Sequence, residues 1–362
     1  MDVTKTENLE RLLMQQDQLV NLISPTHLQL IVLPTEDCNF RCTYCYEDFE
    51  IGRMEKHTVE AIKLLIGKRL PNLRTFSLSW FGGEPLIAKD IVKDLTRYAQ
   101  ESASSANVTF SSDMTTNAYT LNRATFSDLL ELGITRYQIS LDGNAAEHDK
   151  TRKLVSQKGT FEKIWQNLLA MRALSTPFNI VLRVHLHADN VESVKELLSR
   201  ISQDFADDTR FSIFLKAVGN WGGEKVGAMK LIKSPTDIIS DLNQILRQSG
   251  WFERRETRHS DAATEIQVPQ VRACYAALPN SFVIRADGSL AKCTVAFNDP
   301  RNRIGQLNDD GTLSIEKESM HSFMRGLKSM RPSDLTCPIK EMPQRTQVIS
   351  FHKSIEVAGT AQ

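Results

Sequence analysis

Apolar positions along the chain follow two alternating rhythms. Short apolar runs with period-two character fall at Leu28–Leu33, Thr75–Trp80, Asn107–Ser111, Thr135–Leu141, Phe178–His187 and Phe211–Lys216, and read as strands. Between them, His57–Leu70, Ala88–Ser102, Ala124–Leu132, Phe161–Leu174 and Val191–Ser202 carry apolar residues at helical spacing. A β-then-α unit repeated in this way predicts an α/β fold whose parallel strands are wrapped by helices. In barrel-type folds of this class the chemistry sits in the loops after the strands.

The two ends break the rhythm. Residues 7–23 read as one helix, with Leu9, Leu12, Leu13, Leu19 and Val20 at helical spacing. A helical stretch at Ser234–Gln248 and the charged segment Glu253–Glu265 read as a bridge. Beyond it, Ser281–Ile284 and Ser289–Thr294, with turns at Gly288, Gly305 and Gly311, predict short hairpin strands. The expected organisation is an extension (1–28), a barrel (29–233), a helical bridge (234–270), a small C-terminal unit (271–345) and a tail (346–362).

Composition narrows the partners. The 362 residues carry 44 basic and 44 acidic side chains, a formal net charge of zero, so neither a nucleic acid nor a membrane surface is the expected partner. No apolar run approaches the roughly 20 residues that span a bilayer. The start, MDVTKTENLERLL, lacks the basic and apolar segments of a signal peptide, so a cytoplasmic location is expected. There thiols stay reduced, and the six cysteines are expected to bind metal.

Their placement divides them into two sets. Cys38, Cys42 and Cys45 crowd one loop after the first strand, while Cys274, Cys293 and Cys337 lie in the last third. Soft thiolates select iron–sulfur clusters, zinc or copper(I). A cubane cluster usually takes four cysteines, so three leave one iron open to another ligand. Elsewhere, Arg183, His185 and His187 share one face of a strand whose other face carries Leu182, Val184 and Leu186. Those three polar side chains are expected inside the barrel, the histidines either filling it with hydrogen bonds or moving protons.

The stretch Cys38-Asn-Phe-Arg-Cys42-Thr-Tyr-Cys45 resembles the CxxxCxxC signature of the radical S-adenosylmethionine (SAM) superfamily. Gly82-Gly83-Glu84-Pro85 resembles the family motif that holds the amino group of SAM. Asn117, Ser140 and Asp142 stand where the family contacts the ribose and methionine of SAM; Asn117 and Asp142 also suit turns or caps. The resemblance covers roughly residues 29–220 and implies a partial (β/α)6 radical SAM barrel. It implies a SAM-binding [4Fe–4S] cluster on Cys38, Cys42 and Cys45, with Tyr44 against adenine and Arg183 against the SAM carboxylate. Cys274, thirteen residues, Gly288, four residues and Cys293, followed by Cys337-Pro338, resemble a SPASM or twitch domain. A full SPASM domain carries further cysteines and a second auxiliary cluster. The three here imply a single auxiliary [4Fe–4S] cluster, its fourth ligand open or supplied by another residue.

Enzymes of this type mostly modify peptides or proteins. The expected activity is reductive cleavage of SAM to a 5′-deoxyadenosyl radical, hydrogen abstraction from a ribosomally made precursor peptide, and an intramolecular crosslink. A carbon–carbon cyclophane is favoured and a thioether comes next. The alternatives are maturation of a folded protein, of the sulfatase formylglycine or quinohemoprotein type, and peptide epimerisation. An epimerase needs a spare thiol, and all six are assigned to clusters. Thr294 stands where sulfatase-maturing relatives carry an acidic base. The expected partners are the precursor peptide, a reductant such as flavodoxin or ferredoxin, and a separate peptide-recognition protein.

Overall fold

A computed structural model describes residues 23–223, 225–252, 273–329, 331–340 and 342. The helix expected over 7–23, apart from its last residue, and the charged segment 253–265 lie outside the described residues.

The six expected strands form one parallel array. They are β1 (His27–Val32), β2 (Thr75–Trp80), β3 (Thr109–Thr116), β4 (Ile134–Leu141), β5 (Asn179–Leu186) and β6 (Phe211–Ala217), hydrogen-bonded in that order. Their side chains alternate, as the pleat requires. Leu28, Leu30, Phe76, Leu78, Met114, Ile139, Leu182 and Val184 are buried on one side, in the large core shared with the helices. Ser77, Ser111, Asp113, Gln138, Ser140 and Arg183 point to the other side and are only half-buried. Strands buried on both faces read as continuous apolar runs; these alternate because their inner face lines a polar interior. Cross-strand bonds satisfy it, Ser77 to Ser111 at 2.9 Å and Ser79 to Asp113 at 2.8 Å.

The helices bury stripes at helical spacing. Lys89–Ser105 buries Ile91, Val92, Leu95, Ala99 and Ala103; Val191–Phe205 buries Val194, Leu197, Leu198, Ile201 and Phe205. Arg123–Glu131 starts where the Asn122 side chain accepts the Thr125 N–H at 2.9 Å. A short helix, Ala145–Thr151, capped in the same way by Asn144, is an element the periodicity does not announce. β3 also runs further than expected, through Asp113 to Thr116, because its polar residues face the interior rather than solvent.

Beyond the barrel, β7 (Ser281–Ile284), β8 (Ser289–Ala291), β9 (Arg303–Leu307) and β10 (Leu313–Ile315) form antiparallel neighbours, turning at Gly288 between β7 and β8. They are followed by helices at Lys317–Ser329 and Pro332–Thr336. β7 pairs parallel with β1, so the C-terminal strands continue the barrel sheet, which has ten strands in all.

That pairing brings the loops after β1 and β7 together. Glu36, 1% exposed, accepts from Arg285 Nε at 3.1 Å, from Arg285 Nη2 at 2.5 Å and from the Ala286 N–H at 3.2 Å. Truncating the arginine strands a buried carboxylate, which typically costs 3–5 kcal/mol, so Arg285→Met is expected to lower stability by about that amount. In urea unfolding the double variant Glu36→Gln/Arg285→Met regains most of the loss if the ion pair is the cause; equal midpoints for single and double variants would refute this.

Candidate active site

The segments after β1, β2, β3, β4 and β6, with inward residues of β3, β4 and β5, converge on a cavity of about 210 Å³. Its wall includes Cys38, Cys42, Tyr44, Cys45, Gly82, Gly83, Asn117, Ser140 and Arg183. A wider depression of about 680 Å³ lies at the opposite rim and holds none of them; its charges, Arg172 with Asp207 and Arg210 with Asp208, neutralise one another.

Backbone geometry positions the cysteine loop. Gly82 has φ +113°, and a Cβ there would meet the Thr35 carbonyl at 2.4 Å. At Gly83 a Cβ would meet the Asp37 carbonyl at 2.2 Å, and the Glu84 N–H donates to that same oxygen at 3.0 Å. Both glycines are therefore needed for the turn after β2 to pack on the loop after β1.

Two expected contacts sit behind the wall instead of in it. Glu84 is fully buried, and its carboxylate accepts from the Leu86 N–H at 3.0 Å, the Thr116 hydroxyl at 2.7 Å and the Asn117 N–H at 2.7 Å. With its oxygens occupied it orders the turn, and Pro85, also buried, opens the next helical turn. Asp142 is likewise fully buried and accepts from Tyr44 Oη at 2.8 Å and Thr151 Oγ1 at 2.7 Å, with His185 Nδ1 at 3.1 Å. Burial would raise its carboxyl, but His185 and Arg152 outweigh this and hold it below the usual carboxylate range. Asp142 thus holds Tyr44, whose hydroxyl also accepts from Arg152 Nη1 at 2.7 Å. The Tyr44 ring lines the cavity edge-on to His185, 5.2 Å between centroids.

Asn117 bonds Asn39 through its amide at 2.8 Å, tying β3 to the cysteine loop. His185 lines the cavity; His187 is buried outside it with an unpartnered Nε2. Sequence reasoning missed Arg152, which lines the cavity as Arg183 does. Its signal was the spacing Asp142, His148, Arg152, which returns one face of a short helix to the loop after β4. Trp221 of the loop after β6, and Thr294 and Val295 of the C-terminal unit, complete the wall.

The second trio also gathers. The Cys274 N–H donates to the Leu335 carbonyl at 2.8 Å, two residues before Cys337, which brings those two segments together. Burial pushes Cys293 up to about 11 and Cys274 upward as well. Thr294, the residue after Cys293, shares a 2.7 Å hydrogen bond with Tyr275 Oη.

Residues 32–201 match the family model of the Radical SAM superfamily. The chain carries a radical SAM domain. It is 23% identical over 344 residues to the serine-type anaerobic sulfatase-maturating enzyme of Klebsiella aerogenes, covering 89% of this chain and 80% of that protein. It is 28% identical over 209 residues to the molybdenum cofactor biosynthesis protein moc-5 of Caenorhabditis elegans, covering 57% of this chain and 33% of that protein. Among solved structures, native anSMEcpe with bound AdoMet and Kp18Cys peptide superposes with TM-score 0.62 at 19% identity, covering 86% of this chain and 88% of that one. Streptococcus suis SuiB bound to precursor peptide SuiA superposes with TM-score 0.54 at 14% identity, covering 82% and 66%. Among the described residues no helix is long and apolar enough to cross a membrane.

A radical SAM domain is that of an enzyme and takes a [4Fe–4S] cluster and SAM. The side chains of the cavity wall suit the chemistry of both. Burial pushes the Cys45 thiol up to about 12 and raises Cys38 and Cys42 too, so three thiolates here require a cationic partner such as iron. Among the described residues no three His, Cys, Asp or Glu side chains converge as ligands of a single ion do; a cubane instead takes each thiolate on a separate iron. Among the described residues, Arg152 and Arg183 each keep a buried Nε without a hydrogen-bond partner, apt for an anionic ligand group.

The buried network predicts an acid-sensitive fold. His148 is fully buried, with Nδ1 facing the Asp142 N–H at 3.3 Å and Nε2 on Thr160 Oγ1 at 3.1 Å. Burial pushes its pKa down to about 4. The unfolded chain therefore takes the proton first, and stability present above about pH 6.5 is lost as pH falls towards 4, by about 3 kcal/mol in all. Denaturation midpoints of wild type and His148→Gln across this window test it; identical slopes would remove His148 from the account.

Proposed function

We propose that this enzyme crosslinks a ribosomally made precursor peptide within a single molecule, forming a carbon–carbon cyclophane or, next in preference, a thioether. One observation carries this reading: Thr294 and Val295, which directly follow Cys293, line the same cavity as Cys38, Cys42 and Cys45. A crosslink needs the substrate to lose a second electron and a proton after hydrogen abstraction, and an auxiliary cluster on Cys274, Cys293 and Cys337 is an acceptor within reach of the cavity. With all six thiols assigned, none remains to return a hydrogen atom as an epimerase requires.

In this reading Cys38, Cys42 and Cys45 hold three irons of the SAM-binding cluster and leave the fourth open. When bound, cluster and SAM together supply the reducing electron and the carbon radical that removes a substrate hydrogen. The chain's own residues bind and orient. Arg183 and Arg152 neutralise the SAM carboxylate with charge-assisted hydrogen bonds. The backbone of Gly82 and Gly83, with Asn117 and Ser140, offers polar contacts along the remaining wall. Tyr44, fixed between Asp142 and Arg152, presents a rigid ring face. Trp221 and Val295 narrow the opening and limit water. Residues 29–233 form the barrel and 271–345 the auxiliary unit; electrons come from a flavodoxin or ferredoxin. Peptides in the anSMEcpe and SuiB complexes support a peptide substrate.

A second reading, maturation of a folded protein of the sulfatase type, draws on the similarity along 89% of the chain. Against it, the residue after Cys293 presents a hydroxyl paired with Tyr275, not a carboxylate.

Anaerobic incubation with SAM, reductant and a short peptide encoded beside the gene separates these readings. Crosslinking predicts 5′-deoxyadenosine and a peptide lighter by two hydrogens that does not react with a hydrazine. A trapped carbonyl would favour the sulfatase-type reaction, an unchanged mass in ordinary water with one deuterium gained at a Cα in deuterated water would mean epimerisation, and no 5′-deoxyadenosine at all would leave only a scaffold.

A further inference from the structure

The stretch Lys150-Thr-Arg-Lys-Leu-Val-Ser-Gln-Lys158 holds four basic residues and no acidic one. It leaves the helix Ala145–Thr151 and is strapped along the cysteine loop. The Thr43 N–H donates to the Thr151 carbonyl at 2.9 Å, the Arg41 N–H to the Lys153 carbonyl at 2.8 Å, and the Val155 N–H to the Asn39 carbonyl at 2.9 Å. Phe40 and Leu154 form an antiparallel bridge in the same seam. Asn39, Phe40 and Arg41 are the three residues that separate Cys38 from Cys42. The strap then turns back, the Gln157 N–H donating to the Leu154 carbonyl at 2.8 Å and the Leu154 N–H to the Lys158 carbonyl at 3.1 Å. At the tip of this turn Val155 is 53% exposed. Two of the four cations are engaged, Arg152 with Tyr44 at 2.7 Å and Lys150 with Glu147 at 2.6 Å. Among the described residues neither Lys153 nor Lys158 has a carboxylate partner. The flanking acids are engaged as well: Asp149 accepts from the Thr160 and Phe161 N–H groups, and Glu162 pairs with Arg200 at 3.2 Å.

A single exposed valine is ordinary on a protein surface. This one is flanked by two unpaired lysines and sits one hydrogen bond from the residue after Cys38. We propose that the turn Lys153–Lys158 is the docking point of a flavodoxin that reduces the cluster on Cys38, Cys42 and Cys45. The inference deepens the reading above, in which a flavodoxin or ferredoxin supplies the electrons. A flavodoxin presents acidic side chains around the exposed apolar edge of its flavin, and an apolar tip between two lysines is the complement of that surface. Electron-transfer encounters are small, so a turn of this size suffices for recognition. Exposed charges of opposite sign steer the approach. The flavin hydroquinone anion gives up one electron and becomes the neutral semiquinone; the cluster gains that electron, and no bond is made or broken. Lys153, Val155 and Lys158 are positioning residues for the donor and touch no reacting atom.

The test uses the full chain, reconstituted with iron and sulfide, as wild type, Lys153→Glu/Lys158→Glu and Lys153→Arg/Lys158→Arg. Two readouts are taken: calorimetric binding of flavodoxin at low and at high salt, and 5′-deoxyadenosine formed with either reduced flavodoxin or dithionite as the electron source. Charge reversal is expected to weaken flavodoxin binding at low salt by about tenfold, to raise the KM for flavodoxin by a similar factor, and to flatten the salt dependence. The arginine pair is expected to behave as wild type, and dithionite is expected to drive all three proteins at similar rates. Unchanged binding and KM in the glutamate variant would overturn the proposal. So would an equal loss with dithionite, which would make the turn only a strap that shapes the cysteine loop. A raised KM for the precursor peptide, with flavodoxin binding intact, would overturn it in favour of an acidic peptide on the same turn. Wild type yielding no 5′-deoxyadenosine even with dithionite would contradict the cluster on Cys38, Cys42 and Cys45; the binding titration still decides whether the turn holds flavodoxin.

Discussion

The position of β1 between β2 and β7 governs the rest of this molecule. Parallel partners on both sides fix the direction and register of one central strand, and the cysteine loop leaves from its end. The turn after β2 then packs on that loop through the missing side chains of Gly82 and Gly83. The turn after β7 grips it through Arg285 and Glu36. Two independent contacts thus hold the three cysteines, and one of them belongs to the C-terminal unit. This unit is joined to the barrel by a strand ladder and a buried ion pair, which explains how residues beside Cys293 come to line the same cavity as Cys42.

Electrostatics follow from that geometry. A polar interior in an α/β barrel costs stability unless its groups are paired, and here they are paired in a chain: Thr151, Asp142, Tyr44 and Arg152. Asp142 offsets part of the charge of Arg152, which keeps a cation beside Cys42. Arg183 adds a second, held by burial below the usual range of its guanidinium. The wall is therefore prepared for anionic groups, thiolate and carboxylate, before any arrives. Preorganised charge of this kind avoids the reorganisation that a solvent-filled cleft would need.

The six strands, five helices between them and the helix Thr236–Gln248 after them were legible because their apolar spacing is regular. β3 was read short, since Ser112 and Asp113 resemble a loop when nothing tells the reader that one face of the strand is wet. The cysteine spacing and the double glycine located the cavity. What each polar residue does there was not legible. Glu84 and Asp142 make hydrogen bonds within the chain that the sequence did not announce. Arg152 went unread because its approach depends on a short helix without a strong apolar stripe. The pairing of β7 with β1 had no local signal, since four residues of a buried strand do not specify a partner.

The central claim is that Cys38, Cys42 and Cys45 hold one cluster and the distant trio another. An iron and sulfide count with Mössbauer spectra, on anaerobically reconstituted wild type and on the Cys38/Cys42/Cys45→Ala variant, tests it most directly. The account predicts about eight irons per chain falling to about four, as two cubanes reduced to one require. About four irons falling to none would contradict it, because the C-terminal cysteines would then hold no cluster and stand free as hydrogen donors.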